Sequence, residues 1–182
     1  MTAPIPLQPG ASYEFDAMVI TSLPFQQYET VVGAQWIDVN GHMNARFYSD
    51  VIYEAHALLT THIGLGDDYV AATACGKVVA ESHLIYEREL RKGARIGVRS
   101  WLLAVDEKRL HFAHELLNLD EGYRAAFAEQ LDLHIDLTAR RVAPLPEALR
   151  SRLQALSESA DAARADLPVG RAVRMPSRSS AA

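Results

Sequence analysis

The sequence predicts an α+β domain: an antiparallel sheet wrapped around one long central helix, with a C-terminal helix and tail. Two periodicities and their order carry this. Phe47, Val51, Ala55, Leu58, Leu59 and His62 recur at spacings of three and four, the pattern of a long amphipathic helix over 44–63. On both sides of it the period is two. Five alternating runs follow in meander order, and an antiparallel sheet gives such a helix the broad surface its stripe needs.

The first 27 residues carry Pro4, Pro6, Pro9, Gly10 and Pro24 and read as an arm, with 13–20 as a short strand. The main domain spans 28–142. Tyr28, Thr30, Val32, Ala34 and Trp36 share one side of a strand over 28–37. Asn40-Gly41 breaks the pattern, and Gly64 and Gly66 end the long helix. Further strands are expected over 70–80, 82–91, 95–105, 109–119 and 123–137. Lys92-Gly93, Asp106-Glu107 and Asp120-Glu121-Gly122 serve as short turns. The last strand puts Gln130, Asp132, His134 and Asp136 on one face, expected to be solvated or at an interface rather than a metal cluster of Asp132, His134 and Asp136, which no further ligand spacing supports. Residues 143–182 form the last unit. Pro144 and Pro146 open a helix to about Glu158, with Leu149, Leu153 and Leu156 on one side. Beyond it a weakly ordered tail is expected, with 169–175 pinned to the body.

Composition bounds the function. The chain has 182 residues, 49% hydrophobic, with net charge −5. A nucleic-acid binder would show a basic excess. No apolar run approaches the ~20 residues of a membrane helix. The N-terminus lacks a secretory pattern, and Cys75 is the single cysteine. A cytoplasmic protein is the expectation.

The densest chemistry is Asp38-Val39-Asn40-Gly41-His42-Met43-Asn44, between a strand and a helix start. A helix N-terminus presents free N–H groups and a positive dipole end, suited to a carboxylate or an oxyanion. Aspartate is a base or nucleophile, histidine a proton carrier, asparagine an orienting donor. The same residues are also common caps and turn formers, so spacing alone names no reaction.

The strand–DVNGHMN–helix unit and the meander after it resemble the hot-dog fold thioesterases. Asp38-x-Asn40-x-His42-x-Asn44 is similar to the Asp-x-Asn-x-His-x-Asn-Asn pattern of plant acyl-carrier-protein thioesterases, with Ala45 where a second asparagine is usual. Asp38 also resembles the aspartate of 4-hydroxybenzoyl-CoA thioesterase-like enzymes. Residues 35–42, 108–111, 129–137 and 170–173 look like those of betainyl-CoA thioesterases of carnitine breakdown.

The resemblance implies hydrolysis of an acyl-CoA thioester with no metal or cofactor, CoA being part of the substrate. It implies Asp38 as general base or nucleophile, Asn40 as orienting group and His42 as hydrogen-bonding or proton-transfer partner. Backbone N–H groups at Asn44 and Ala45 would polarise the carbonyl. It also implies a homodimer, or a dimer of dimers, with Glu81 and His83 near the partner's loop. Glu81 is a second-rank candidate, and Glu54 a weaker one. A betainyl group suits an aromatic cage, for which Trp36, Tyr48, Tyr53, Tyr86 and Trp101 are available. Arg88, Arg91, Lys92 and Arg95 cluster at one turn, where CoA phosphates would find cations.

Other signals are weaker. His111 and His114, three apart on a strand, face opposite sides and share no metal. Gly64-Leu65-Gly66 follows a helix and is a cap, not a dinucleotide loop. Cys75 reads as a half-buried strand residue, and no Gly-x-Ser-x-Gly elbow occurs. Two alternatives remain. A hot-dog enoyl-CoA hydratase would show Asp-x-Asn-Pro-x-His, whereas here Gly41 replaces the proline and the histidine comes one residue early. A non-catalytic acyl-CoA-binding dimer would retain the fold without thiol release.

Overall fold

Helix α1 (Ala45–Thr60) lies against the concave face of a sheet whose strand order is β1-β3-β4-β5-β2, all antiparallel. The computed structural model describes residue 20, residues 22–159 and residues 166–171. The strands are β1 (Phe25–Val31), β2 (Cys75–Tyr86), β3 (Arg95–Val105), β4 (Arg109–Asn118), β5 (Tyr123–Asp136) and the short β6 (Arg141–Val142), which pairs with β5. Helices α2 (Asp67–Thr73) and α3 (Glu147–Glu158) complete the described elements. None of the described helices is long and apolar enough to cross a membrane.

α1 buries Tyr48, Val51, Ile52, Ala55, His56 and Leu59, the residues its period of 3.6 turns toward the sheet. Asn44 caps it by accepting the Arg46 N–H (3.1 Å). A π-type turn over Thr61–Leu65 ends it, with Gly64 in the left-handed region at φ 88°. On the outer face of the sheet α3 packs against β3, burying Leu149, Leu153 and Leu156 in one cluster with Trp101, Leu103 and Phe127.

Several expectations shift. The strand expected over 28–37 starts earlier, at Phe25 inside the expected arm, and stops at Val31; Ala34–Trp36 is a 3-10 turn. The strands expected over 70–80 and 82–91 are instead α2 followed by one strand, β2. Asp67 and Asp68 occupy α2's first turn, where carboxylates suit the dipole, and Ala74 caps it with φ 54°. The apparent break near residue 81 is a bulge between Val79 and Glu81 in an otherwise continuous pairing with β5. Glu81 and His83 therefore sit mid-strand, not at a strand start. Ile20 is buried; residues 13–19 and 172–175 lie outside the described residues.

The polar face of β5 is also not where it was expected. Gln130, Asp132 and His134 point into the interior, at 7%, 0% and 1% exposure. His56 on α1 and Lys77 on β2 explain this. Their Nε2 and Nζ atoms lie 2.9 and 3.0 Å from Asp132 Oδ2. Burial opposes ionisation of Asp132, but these two partners outweigh it and hold its carboxyl below the usual range. Burial pushes His56 down despite Asp132, and pushes His114 down further. A neutral His56 that donates through Nε2 to Asp132 Oδ2 leaves its own Nδ1, and Asp132 Oδ1, without partners among the described residues. His134 is held separately, by the Tyr69 hydroxyl (2.9 Å) and the Ala143 carbonyl (2.9 Å).

Candidate active site

Asp38 sits in a closed loop that feeds α1. Its N–H donates to His42 O (3.0 Å), Gly41 N–H donates back to Asp38 O (3.0 Å), and Ile37 bridges Met43. Gly41 takes φ 82°, which a side chain would resist. The Asn40 N–H donates to Asp38 Oδ1 at 2.8 Å, an Asx turn. Orientation of the carboxylate thus comes from the Asn40 backbone, while the Asn40 side chain is exposed. Asp38 Oδ2 has no partner among the described residues.

The loop is anchored from two sides. Met43 N–H donates to Leu90 O (2.7 Å) and Asn44 N–H to Trp36 O (2.8 Å). Tyr48 clamps the segment after β2: its hydroxyl donates to Arg88 O (3.3 Å) and accepts the Leu90 N–H (3.1 Å). Burial, chiefly, raises its phenol above the ordinary value. Because Asn44 N–H is spent on Trp36, only the Ala45 N–H of the expected oxyanion pair stays without a partner among the described residues. His42 is half-buried, with Nδ1 3.4 Å from Met43 O.

Aromatic rings gather at this helix start. Trp36 stacks on Phe47 (5.6 Å between centroids), and Tyr86 meets Tyr48 edge-on (5.3 Å) while its hydroxyl donates to Ala45 O (3.4 Å). Tyr53 lies two turns further along α1. Trp101 does not join them; it is buried on the outer face of the sheet. Glu54 accepts the Tyr28 hydroxyl (2.5 Å), a structural contact. The basic turn adjoins the loop through Leu90, with its charges partly used. Arg91 pairs with Glu89 (2.8 Å), Arg95 with Glu29 (3.4 Å), and Arg88 lies over the Tyr123 ring (3.7 Å).

Glu81 is not brought to Asp38 within the chain. It lies on the outer face, at the rim of a trough of about 780 Å3 that also includes His83, Arg109, His111, Glu129 and Arg171. His111 Nε2 lies 2.7 Å from Glu129 Oε1, and Glu129 Oε2 accepts the Gly170 N–H (2.7 Å). Three segments distant in sequence, 108–111, 129–137 and 170–173, thus contribute neighbouring residues to one surface, with 172 and 173 outside the described residues.

A second groove, about 370 Å3, runs between α1 and β2 and is floored by β5. Asp50 at its rim carried no signal in the sequence, because a lone carboxylate on an exposed helix face looks like any solvated residue.

Comparison with known proteins agrees with this fold. The family model of the thioesterase-like superfamily matches residues 32–153. The chain belongs to that superfamily. It is 38% identical over 149 residues to the betainyl-CoA thioesterase of Pseudomonas aeruginosa, covering 82% of this chain and 94% of that one. It is 37% identical to the L-carnitine dehydrogenase/betainyl-CoA thioesterase of Agrobacterium fabrum, matching 80% of this chain but 30% of that longer protein. A solved structure from Pseudomonas putida KT2440 superposes with TM-score 0.71 at 31% identity, covering 85% of this chain and 98% of that one. A Staphylococcus aureus protein solved in complex with CoA shares the fold, with TM-score 0.73 at 21% identity over 86% of this chain and 99% of that one. The superfamily member described here is a thioester hydrolase of the hot-dog fold.

Proposed function

We propose that this thioesterase hydrolyses an acyl-CoA to the free acid and CoA, and that its substrate is betainyl-CoA. Identity to the Pseudomonas aeruginosa enzyme along nearly its whole length carries the substrate reading. The Asp38 loop supplies the chemistry. One carboxylate oxygen is held by the Asn40 amide, and the other is free to take a proton from water. The Ala45 N–H at the start of α1, without a partner among the described residues, would stabilise charge on the thioester oxygen. His42 lies beside Asp38 in the same turn to assist proton transfer. The reaction requires no group beyond these and the CoA of the substrate.

A homodimer belongs to the same proposal. β2 is a sheet edge, and Val78 and Val79 on it are 42% and 40% exposed. Such an edge is a template for a second copy. The reducing cytoplasm fits an enzyme with one thiol, Cys75.

A thiol-release screen over acyl-CoAs tests the activity, with betainyl-CoA expected among the best substrates. Loss of enoyl absorbance without thiol release would instead identify a hydratase. Saturable binding with no turnover on any acyl-CoA would identify a binding protein.

A further inference from the structure

The groove between α1 and β2 is lined by Ser49, Asp50, Ile52 and Tyr53 of α1, Val79, Ser82 and Leu84 of β2, and Ala128 and Gln130 of β5. Among the described residues its only charged one is Asp50. Among the described residues no lysine, arginine or histidine lines it, in contrast to the outer trough with Arg109, Arg171 and two histidines. Gln130 is 7% exposed, yet its Oε1 has no hydrogen-bond partner among the described residues.

Aromatic surface completes the groove. Tyr53 lines it and is 64% exposed. Tyr86 follows Ser82 and Leu84 at period two on β2, so it shares their face, and it is 52% exposed. The groove begins next to the catalytic loop. Ser49 is four residues beyond Ala45, about 6 Å along the helix. In a betainyl thioester the nitrogen is two bonds from the carbonyl carbon. A carbonyl at the Ala45 N–H therefore leaves its trimethylammonium group within about one helical turn of Ser49.

We infer that the groove binds a quaternary ammonium group, the cationic end of the acyl chain, with Asp50 as counter-ion and Tyr53 and Tyr86 as aromatic walls. This rests on the betainyl reading for the identity of the cation. The physical need is specific. A trimethylammonium group offers no N–H donor, so it cannot be held by hydrogen bonds from nitrogen. It is held by diffuse negative charge and ring faces. The positive end of the α1 dipole opposes a cation near Ala45, which makes the nearby carboxylate necessary.

Two measurements on the full-length protein test it. The first is kcat/KM on betainyl-CoA divided by kcat/KM on 3,3-dimethylbutyryl-CoA, in which carbon replaces the nitrogen. Asp50→Asn and Tyr53→Leu, both at exposed positions, are each expected to lower that ratio about fivefold. A wild-type preference for betainyl-CoA that survives in Asp50→Asn overturns the groove assignment and leaves the substrate reading intact. The second is titration with tetramethylammonium chloride followed by backbone amide shifts. Saturable shifts over residues 49–53 and 82–86, weakened in Asp50→Asn, are expected; their absence overturns the site. Such binding in an enzyme with no preference for betainyl-CoA supports the cation site and overturns the substrate reading.

Discussion

His56 on α1 and Asp132 on β5, 76 residues apart in sequence, meet at 2.9 Å beneath the central helix, both essentially without solvent contact. Lys77 supplies the compensating charge from β2. The helix is thereby locked to two strands by one carboxylate. Asp132→Ala removes the acceptor and leaves buried His56 and half-buried Lys77 without it. A loss of about 3 kcal/mol in urea unfolding is expected, since breaking a buried pair by deleting one partner costs about 3–5 kcal/mol. A loss below about 1 kcal/mol would show that the contact does not lock the helix.

Burial holds His56 and His114 below the ordinary histidine value. Their neutral forms are native, so the unfolded chain takes up protons that the folded one refuses once pH falls below about 6.5. Stability is therefore full above that point and declines below it, by up to about 1.4 kcal/mol per pH unit for each histidine. Asp132, depressed in the fold, adds a second loss only below about pH 4. Urea midpoints at pH 8, 6 and 5 check this. A flat profile between 6 and 5 contradicts it.

Asp38→Asn keeps an oxygen for the Asn40 amide and removes the basic carboxylate. The fold should persist by circular dichroism while kcat falls about 10²- to 10⁴-fold, the usual share of general base catalysis. Near-wild-type turnover would exclude Asp38 from the chemistry.

Tyr48→Phe deletes the hydroxyl that joins α1 to Arg88 and Leu90. The buried Leu90 N–H loses its acceptor, so a cost of about 1–2 kcal/mol is expected. Activity should fall with it if the Asp38 loop carries the chemistry, because Leu90 O anchors Met43 in that loop. Unchanged stability and activity would mean that the clamp is not needed.

Val79→Lys places a charge on the exposed edge of β2. If two copies pair there, light scattering should show a shift from dimer to monomer at micromolar protein. A variant that stays dimeric moves the interface elsewhere.

Much of this was legible in the sequence because it is local. The stripe from Phe47 to Leu59 makes a helix wherever it sits, and the Asp38–Asn44 turn closes on its own backbone. α1, α3 and strands β3 to β5 follow within a few residues of expectation. The sequence could not separate α2 from a strand, since 70–80 is a short apolar run without a clear period. It could not place Glu81, whose face depends on a bulge set by pairing with β5.

The sequence by itself determined α1, α3, strands β3 to β5 and the family. Only the tertiary structure decided which polar residues are buried. A side chain such as Asp132 reads as solvated until His56 and Lys77, both more than 50 residues away in sequence, are known to cover it. The same holds for the groove. Asp50, Tyr53, Ser82 and Gln130 face one another only because α1 crosses β2 and β5, and no spacing within one segment encodes that crossing.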